Sequence, residues 1–515
     1  MKKKIYLIIL VLFSIFINQY AANRGVFPID SFLIFDAAYN VISGNHPFKD
    51  YWLITGPFLD YIQSLFFLIF GINWVSYLLH ASFLNVLLVL FSFYYFIKIG
   101  LNNFYSFLYS LGVAVLAYPS IGTPFIDHHA VILCMMASLS ISLAILLKKN
   151  IFWILAPIFI IFSFFSKQIP SPYFATSFFI ILSIHYYFLK NFNKSILLNL
   201  LAGVLFSIFL VISIFIINEI PLENFLVQYI LYPLSFGKER INLLDFDFKN
   251  LVGQFKFIYL SIIPLIFITY ILIKNKNKNL IKKNDITISI LFLSSVAILI
   301  YNQLLTKNQI LIYFIIPIAA AHSHAYSIKY FNKKYLTYFV IVIFMFSSVK
   351  YHVRFNEERK FIELASANFD LAQKASLLDK RLIGLQWITP HYPNNPLKEI
   401  NILIETKNIL IKKVNQKIII TDYQFLSSLI NNQFASPNKW YDSLSIPRKK
   451  NKYYDRHKIF FYEQIKKNNI KHLFFIGKNK SKMPFFKEFF FENKCIILND
   501  YNDLLLEFDI SECKF

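Results

Sequence analysis

The sequence predicts a polytopic α-helical membrane protein, with about 11 transmembrane helices and a C-terminal α/β domain. Of its 515 residues, 57% are hydrophobic, and the mean hydropathy is +0.51, a balance typical of polytopic membrane proteins. The hydrophobic residues are gathered in long stretches, and short loops that contain lysine separate these stretches. From Lys350 onward the composition becomes charged, and the apolar runs shorten to strand length. A soluble globular protein is therefore excluded.

A helix needs about 20 residues to cross the hydrocarbon layer of a membrane, and fewer where neighbouring helices shelter it. The predicted spans are apolar stretches of about that length. They are Ile5–Gln19, Trp74–Ile97, Phe104–Tyr118, His128–Leu147, Ile151–Phe165, Pro172–Leu189, Ile196–Ile217, Phe255–Ile273, Ile286–Leu305, Ile310–Tyr326 and Tyr335–Val349. The first follows three lysines and so imitates a signal peptide. Because further spans come after it, we expect an uncleaved signal anchor.

Lysine clusters fix the expected orientation, because cytoplasmic loops carry the excess of positive charge. With the N-terminus in the cytoplasm, the lysines at 98, 148–149, 190–194, 274–283 and 329–334 all fall inside. The acids that precede Lys350 fall outside, except Asp285. We expect an integral protein of a bacterial inner membrane. Its predicted domains are a transmembrane domain at 1–349, with a first outer loop at 21–73, and an extracytoplasmic soluble α/β domain at 350–515.

The predicted C-terminal domain contains two strand-like runs, Lys417–Asp422 and His472–Lys478, with a helical stretch around Phe460–Asn468 between them. Strand, helix and strand indicate a small α/β unit, long enough to hold a core of its own. Cys495 and Cys513 would be free to pair outside the cytoplasm, and the sequence leaves that pairing open.

The formal charge of +23 does not indicate a nucleic-acid partner. The excess is lysine dispersed among asparagine, isoleucine and phenylalanine, and much of it lies in the short loops that set membrane orientation. We therefore expect the lysines to interact with the lipid bilayer, and we expect no nucleic-acid partner.

The first outer loop, Asn23 to Gly71, carries four carboxylates between lipid-soluble helices. We expect one short amphipathic helix that starts at Asp30 and Ser31 and ends just before Gly44. A second helix is expected within Thr55–Gly71, too polar for a comfortable span. Two helices along a membrane surface, presenting acids toward a cavity, suit chemistry at the boundary of the bilayer.

Asp30 has two compatible interpretations. It is a helix N-cap, or it is a carboxylate that accepts a proton from an acceptor hydroxyl or orients it. Partial burial would raise its basicity. Asp36 points about 120° away from Asp30 on one helix, so it is either a substrate-binding residue or a solvated one.

Asp127, His128 and His129 form a second group, at the start of an apolar helix. Ionisable side chains at the edge of a membrane are costly and therefore indicate function. Asp with His is also a plausible ligand set for a divalent cation, with Asp127 and His128 as the candidate ligands. Adjacent histidines on a helix point about 100° apart, so we expect one functional histidine, His128, beside a capping Asp127.

Four cations lie in outer loops that otherwise contain few of them: Lys167, Lys238, Arg240 and Lys307. Each is either a side chain that extends from a helix end to the interface or a ligand of a phosphate leaving group. The positive-inside bias works against cations in these loops, which favours the second interpretation.

The pattern resembles the GT-C superfamily of membrane glycosyltransferases, which includes protein O-mannosyltransferases, lipid A aminoarabinose transferases and oligosaccharyltransferases. The matching features are Asp30, then Gly44–Pro47, then Thr55–Gly71, with Asp127-His128-His129 and Lys167 further along. Ser31 stands where the family usually has the second member of an acidic pair.

The resemblance implies a glycosyltransferase that moves a sugar, with inversion, from a polyprenyl-phosphate donor to a lipid, glycan or protein acceptor outside the cytoplasm. Catalytic roles are implied for Asp30 and Asp127, and a divalent cation is a candidate cofactor. The substrate-binding residues would be Asp36, His128, Lys167, Arg240 and Lys307.

The alternative function is a transporter or flippase of a lipid-linked glycan. It would predict polar residues through the centres of the spans and internal symmetry. The predicted spans carry almost no charge at mid-depth, and no repeat is detectable in the sequence. An enzyme is therefore the preferred interpretation.

Overall fold

The computed structural model describes residues 2–189, 193–237, 247–274, 280–307, 309–331, 334–413, 416–433, 436–441, 444–477 and 495–513. All eleven predicted spans are helical within these ranges, which confirms a polytopic helical protein. The long helices are α1 (Lys2–Ala22), α5 (Trp74–Lys98), α6 (Asn103–Leu116), α7 (Ile126–Leu147), α8 (Asn150–Ser166), α9 (Ser171–Leu189), α10 (Lys194–Ile217), α13 (Lys256–Lys274), α14 (Leu280–Thr306), α15 (Ile315–Phe331) and α16 (Lys334–Tyr351). Among the described residues, eight helices are long and apolar enough to cross a membrane. The remaining predicted spans are α6, α8 and α9.

The shorter helices lie between the spans and in the C-terminal part of the chain. They are α2 (Pro28–Ser31), α3 (Phe35–Ile42), α4 (Phe58–Phe70), α11 (Leu222–Phe225), α12 (Tyr232–Ser235), α17 (Pro396–Lys412), α18 (Leu426–Leu429) and α19 (Tyr454–Lys467). A π-helical turn, Leu226–Leu231, joins α11 to α12.

Contacts between helix ends place the first loop and the C-terminal part of the chain on one face of the bundle, here called the loop face. Arg24, after α1, binds Glu357, after α16, at 3.1 Å. Lys49 of the first loop donates to the carbonyl of Asn218, at the end of α10, at 3.0 Å. On the opposite face, Lys329 pairs with Asp285, the acid predicted to lie apart from the others. Asp285 therefore lies apart from the acids of the first loop, and the wider segregation of acids stays a prediction.

The first loop differs from the single amphipathic helix expected before Gly44. The segment forms two helices, α2 and α3, with a break at Phe32–Ile34. Phe27 occupies the N-cap position of α2, and its backbone N–H donates to the hydroxyl of Ser31. The N-cap assignment of Asp30 is therefore wrong, because Pro28 sets the start of this short helix and places Asp30 inside it. Helix α4 and its terminal Gly71 are as expected.

The C-terminal strands form a four-stranded mixed sheet. Its strands are β3 (Lys417–Thr421), β4 (His472–Ile476), β5 (Ile497–Asp500) and β6 (Leu505–Asp509), in the order β3-β4-β6-β5. Strand β3 is parallel to β4, and the other pairs are antiparallel. Both predicted strands and the helix between them are confirmed, and Cys495 is bonded to Cys513. A small two-stranded sheet, β1 (Gln373–Lys374) with β2 (Gln386–Trp387), precedes it.

The two faces of this sheet have different partners. One face carries Ile418, Ile420 and Phe475, which pack on Phe461 and Ile465 of α19. The other carries Ile419, Phe474 and Leu505, in one hydrophobic cluster with Phe32 and Phe35 of the first loop. The C-terminal residues thus share one of their two cores with the first loop. The division of the chain at residue 350 stays a prediction.

Ion pairs add to this apolar contact, with acids from the bundle and cations from the C-terminal part. Lys439 binds Asp60, and both side chains are buried, at 3% and 0% exposure. Tyr51 also donates to Asp60, at 2.9 Å. Lys467 binds Asp50 at 2.6 Å. Two of the four loop carboxylates are therefore docking residues for the C-terminal part of the chain.

Removing one member of the Asp60–Lys439 pair should destabilise the protein strongly. Lys439→Met leaves a buried carboxylate without its cation, which costs about 3–5 kcal/mol. Lys439→Met combined with Asp60→Asn should recover most of that loss, because the remaining groups are neutral. Denaturant or thermal unfolding of the protein in nanodiscs measures both.

Glu219→Gln is the control, since it breaks the exposed Lys49–Glu219 pair and should cost less than about 1 kcal/mol. Equal losses for Lys439→Met and Glu219→Gln would contradict the structural role of the buried pair.

Candidate active site

Asp30 lies on the loop face, within the four-residue helix α2. Its side chain is partly accessible, and it has no hydrogen-bond or ion-pair partner within the described residues. Phe32, two residues on, stacks edge to face on Phe425 at 4.6 Å between ring centres, which fixes the position of this turn. An acid held in place by its neighbours, with its oxygens unoccupied, is available to a ligand.

The surroundings of Asp30 favour its neutral form. Burial raises the pKa of Asp30 to about 7, and the negative charges of Asp127, Glu363 and Asp422 raise it further in the same direction. Asp127 and Asp30 are therefore electrostatic neighbours. A carboxylate with a pKa near neutrality can gain and lose a proton under physiological conditions.

Asp127 is the acid of this group that belongs to a membrane helix. It lies in the first turn of α7, where the helix dipole stabilises a negative charge. The N-cap position belongs to Phe125, so the capping role expected for Asp127 is wrong. Its carboxylate binds the ammonium of Lys167, at the end of α8. The structure thus brings together two side chains predicted separately as site residues.

Gly56 explains how the first loop reaches Lys167. Its backbone N–H donates to the carbonyl of Ser166 at 3.1 Å. A side-chain carbon at Gly56 would lie 1.7 Å from the carbonyl oxygen of Phe165, so only glycine permits this approach. Gln168 completes the junction by donating to the carbonyls of Ile54 and Tyr229, each at 2.8 Å.

His128 and His129 have different surroundings. The His128 ring is fully buried against Tyr118, with ring centres 4.7 Å apart, and neither of its nitrogens has a hydrogen-bond partner among the described residues. His129 Nε2 lies 3.0 Å from His80 Nε2, and His129 Nδ1 lies 3.0 Å from the hydroxyl of Tyr118. His80 Nδ1 in turn meets Gln63 of α4 at 3.0 Å.

This buried hydrogen-bonded chain joins α4, α5 and α7 behind the site, and sequence reasoning missed it. A polar residue in each apolar helix was the available signal: Gln63 in α4 and His80 in α5. A substrate-binding role for His128 stays a prediction.

Arg359 is a second residue that sequence reasoning missed. It is 1% exposed, and its guanidinium donates to the backbone carbonyls of Arg24, Pro119 and Ser120 at 3.1 to 3.2 Å. One side chain thus joins the start of the first loop, the second loop and the segment after α16. That junction fixes the loops that carry Asp30 and Asp127.

The other predicted substrate-binding residues lie elsewhere. Asp36 is buried beneath the C-terminal residues, and burial raises its pKa to about 7 despite the opposing effect of nearby Ser427 and Ser428. Lys307 is exposed at the end of α14. Arg240 lies outside the described residues. Roles for these three in substrate binding stay predictions.

Potential metal ligands cluster away from Asp127. Within the described part of the chain, a group of three close enough to hold one ion is formed by His472, Glu507 and Asp509 of the sheet. Glu507 there also binds Lys413 at 3.0 Å, and the ammonium competes with a cation for the carboxylate. At Asp127 the ammonium of Lys167 likewise occupies the position of a cation. A metal on Asp127 and His128 stays a prediction.

No family model and no curated protein sequence matches this chain. Among solved structures, the Archaeoglobus fulgidus oligosaccharyltransferase in complex with Zn and sulfate aligns with a TM-score of 0.45 at 12% identity, over 91% of this chain and 67% of that chain. The archaeal oligosaccharyltransferase AglB from the same organism, in complex with an inhibitory peptide and a dolichol-phosphate, gives 0.42 at 12%, over 92% and 69%. ArnT from Cupriavidus metallidurans, bound to undecaprenyl phosphate, gives 0.42 at 9%, over 98% and 97%.

Oligosaccharyltransferases and aminoarabinose transferases are two classes of the GT-C superfamily, which this sequence resembles. Because the TM-scores are below 0.5, the function of this chain has to be supported from its own residues.

Coupling between Asp30 and Asp127 is directly measurable. In the parent protein we expect Asp30 to titrate near its raised pKa of about 7. Asp127→Asn removes a negative charge beside it, so the pKa of Asp30 should fall, yet stay above the ordinary value of 3.8 because burial persists. Infrared difference titration of aspartate-labelled protein, with Asp30→Asn as the reference, measures this pKa.

Asp370→Asn, at an exposed position, is the control and should leave the titration unchanged. An Asp30 that titrates near its ordinary value, or one indifferent to Asp127→Asn, would contradict the shared site.

Proposed function

We propose that this protein is an integral membrane glycosyltransferase, which moves a sugar from a polyprenyl-phosphate donor to an acceptor hydroxyl on the extracytoplasmic face. The observation that carries the proposal is the Asp30 carboxyl on the loop face, partly accessible, without a partner among the described residues, and with a pKa raised to about 7. Such a group is suited to general-base catalysis. The donor class comes from the sequence resemblance to GT-C enzymes.

The proposed step balances as follows. The acceptor oxygen attacks the anomeric carbon of the donor sugar, and the bond from that carbon to the phosphate oxygen breaks. The acceptor proton passes to Asp30, and the polyprenyl phosphate leaves as an anion. Attack from the side opposite the phosphate inverts the anomeric configuration.

Lys167 is the proposed ligand of the leaving phosphate. In the structure its ammonium is bound to Asp127 at the ends of α7 and α8, where the apolar span meets the loop face. A phosphate bound there would share the ammonium with Asp127, and its polyprenyl tail would stay in the lipid. Asp127 would then hold the Lys167 ammonium in position, and that ammonium would balance the negative charge of Asp127 near Asp30.

Two observations support an extracytoplasmic loop face in a bacterial inner membrane. Along the sequence, the lysine-rich loops alternate with the loops that carry the acids, as cytoplasmic loops do. Cys495, just before β5, and Cys513, after β6, form a disulfide, and disulfides persist in oxidising compartments.

The rival function is a transporter or flippase of a lipid-linked glycan. Such a protein would carry its polar residues to the middle of the membrane, where substrates of transporters bind. In the described residues the ion pairs involving bundle acids lie at the two ends instead, as with Asp127–Lys167 and Asp285–Lys329. This distribution favours the enzyme.

Transfer of a labelled sugar from a polyprenyl phosphate in proteoliposomes tests the proposal. We expect the parent protein to transfer the sugar, and Asp30→Asn to lower the rate by roughly 10²-fold or more, the contribution of a general base. Because the ionised carboxylate is the active form, the rate in the parent should rise with pH through the raised pKa of about 7. Asp370→Asn should transfer normally.

Full activity in Asp30→Asn would remove Asp30 from the mechanism, and lipid flipping without transfer would establish the rival function. Addition of EDTA to the same assay decides the metal question. Loss of transfer would show that a divalent cation is required, and unchanged transfer would remove it from the mechanism.

A further inference from the structure

An exposed row of four leucines, here called the leucine row, lies on the segment that follows α10. The row consists of Leu222, Leu226, Leu231 and Leu234, with exposed fractions between 43% and 69%. Steps of three or four residues stay on one face of an α-helix, and the step of five falls within the π-helical turn, where five residues also return to the same face. The opposite side of the segment is buried at Val227, Tyr229 and Tyr232. The segment is therefore amphipathic, and its apolar side is uncovered.

The leucine row continues the surface that α10 presents to lipid. Helix α10 is long and apolar enough to cross a membrane, and its last two residues, Ile216 and Ile217, are 72% and 77% exposed. The row begins at Leu222, a few residues beyond that end. Apolar side chains at the end of a span are stabilised when the boundary of the bilayer covers them.

A basic segment of the C-terminal part, residues 448–458, accompanies the leucine row. It contains six arginines and lysines and a single acid, Asp455. The side chains of Arg448, Lys450 and Lys452 are exposed. An apolar helix face with clustered cations beside it is typical of a protein surface that lies on an anionic membrane.

Three polar contacts hold the basic segment and the residues just before it against α11 and α12. Asn451 donates to the Ser235 hydroxyl at 2.9 Å, the Tyr232 hydroxyl donates to the Leu444 carbonyl at 2.6 Å, and Arg456 binds Glu223 at 2.8 Å. Ser235 directly follows Leu234, the last residue of the leucine row. Asn451 has Lys450 and Lys452 as its neighbours in the chain. Exposed cations and the end of the row are thus side by side.

We propose that the leucine row and the basic segment together bind the phosphate headgroups of anionic bilayer lipids. The leucines lie at the acyl boundary, and the cations of the basic segment lie among the headgroups. Lipid is favoured over a protein partner because the row is continuous with the lipid-facing end of α10. This surface holds the C-terminal part against the membrane, and it does so whether or not the protein transfers a sugar.

Hydrogen–deuterium exchange of the full-length protein in nanodiscs tests the role of charge. The nanodiscs contain phosphatidylcholine alone or phosphatidylcholine mixed with phosphatidylglycerol. We expect phosphatidylglycerol to slow exchange several-fold in peptides that cover residues 444–453. Salt at about 1 M should remove this effect, because the screening length falls to about 3 Å.

Matched variants assign the effect to the basic segment. Neutralising its exposed cations should abolish the response to phosphatidylglycerol: Arg448→Gln with Lys450→Gln and Lys452→Gln. Exchanging arginine and lysine at the same three positions keeps the charge and should keep the response. The control neutralises three exposed lysines elsewhere in the C-terminal part and should respond as the parent does: Lys374→Gln, Lys380→Gln and Lys412→Gln. Melting temperatures show that the variants are folded, and the salt series in the parent tests the same point without substitution.

A nitroxide label at Leu234→Cys tests the leucine row. We expect this label to collide more often with oxygen, which concentrates in lipid, than with a water-soluble nickel chelate. Phe209→Cys, on the lipid-facing side of α10, should behave in the same way. Ala365→Cys, at an exposed position of the C-terminal part, should show the reverse preference.

The proposal is overturned if phosphatidylglycerol does not slow exchange, or if the neutralised variant responds as the parent does. A label at residue 234 that prefers the nickel chelate would place the row in water, and a label shielded from both reagents would place protein against it. Either result also overturns the proposal. No donor or turnover enters these experiments, so they succeed or fail independently of the sugar-transfer assay.

Discussion

The buried ion pair between Asp60 and Lys439 is the constraint on which the loop face depends. The two residues are 379 positions apart in the chain, one on helix α4 and the other in the segment between α18 and α19. Removing both charges from water is costly, and the structure offsets that cost with direct contact and a further hydrogen bond from Tyr51. Separating the two side chains would leave each charge buried without a partner, so the pair holds the C-terminal part against the first loop.

The apolar contacts beside this pair extend its effect to the site. Phe32 packs on Phe425 and Trp387, and the backbone N–H of Asp36 donates to the carbonyl of Gln424 at 2.9 Å. The segment after β3 therefore lies against the turn that carries Asp30. The charges of Glu363 and Asp422, which raise the pKa of Asp30, come from the C-terminal part of the chain. Docking and basicity are consequently linked in this protein.

Much of the fold follows from local patterns in the sequence. Apolar stretches predicted eleven helical segments, eight of them long and apolar enough to cross a membrane among the described residues, and strand-like runs predicted β3 and β4. The errors are at helix starts. An aspartate before an apolar segment predicts an N-cap, yet Pro28 starts α2 two residues before Asp30, and Phe125 starts α7 two residues before Asp127. The backbone at those turns, rather than the side-chain type, decides the cap.

Contacts between distant segments were beyond reach of the sequence. Asp127 and Lys167 were each proposed as site residues, but nothing in one sequence indicates that they pair across 40 positions. Asp50 and Asp60 carried weak signals because their lysine partners lie in the C-terminal part. The chain from Gln63 through His80 to His129 requires three helices to meet, which periodicity does not show.

A density map of the protein with a bound polyprenyl phosphate tests the account most directly. We expect the phosphate beside Lys167 on the loop face, with Asp30 facing the same space and Lys439 still bound to Asp60. A phosphate at the opposite end of the bundle, beside Lys329, or a C-terminal part separated from the first loop while the ligand is bound, would contradict it.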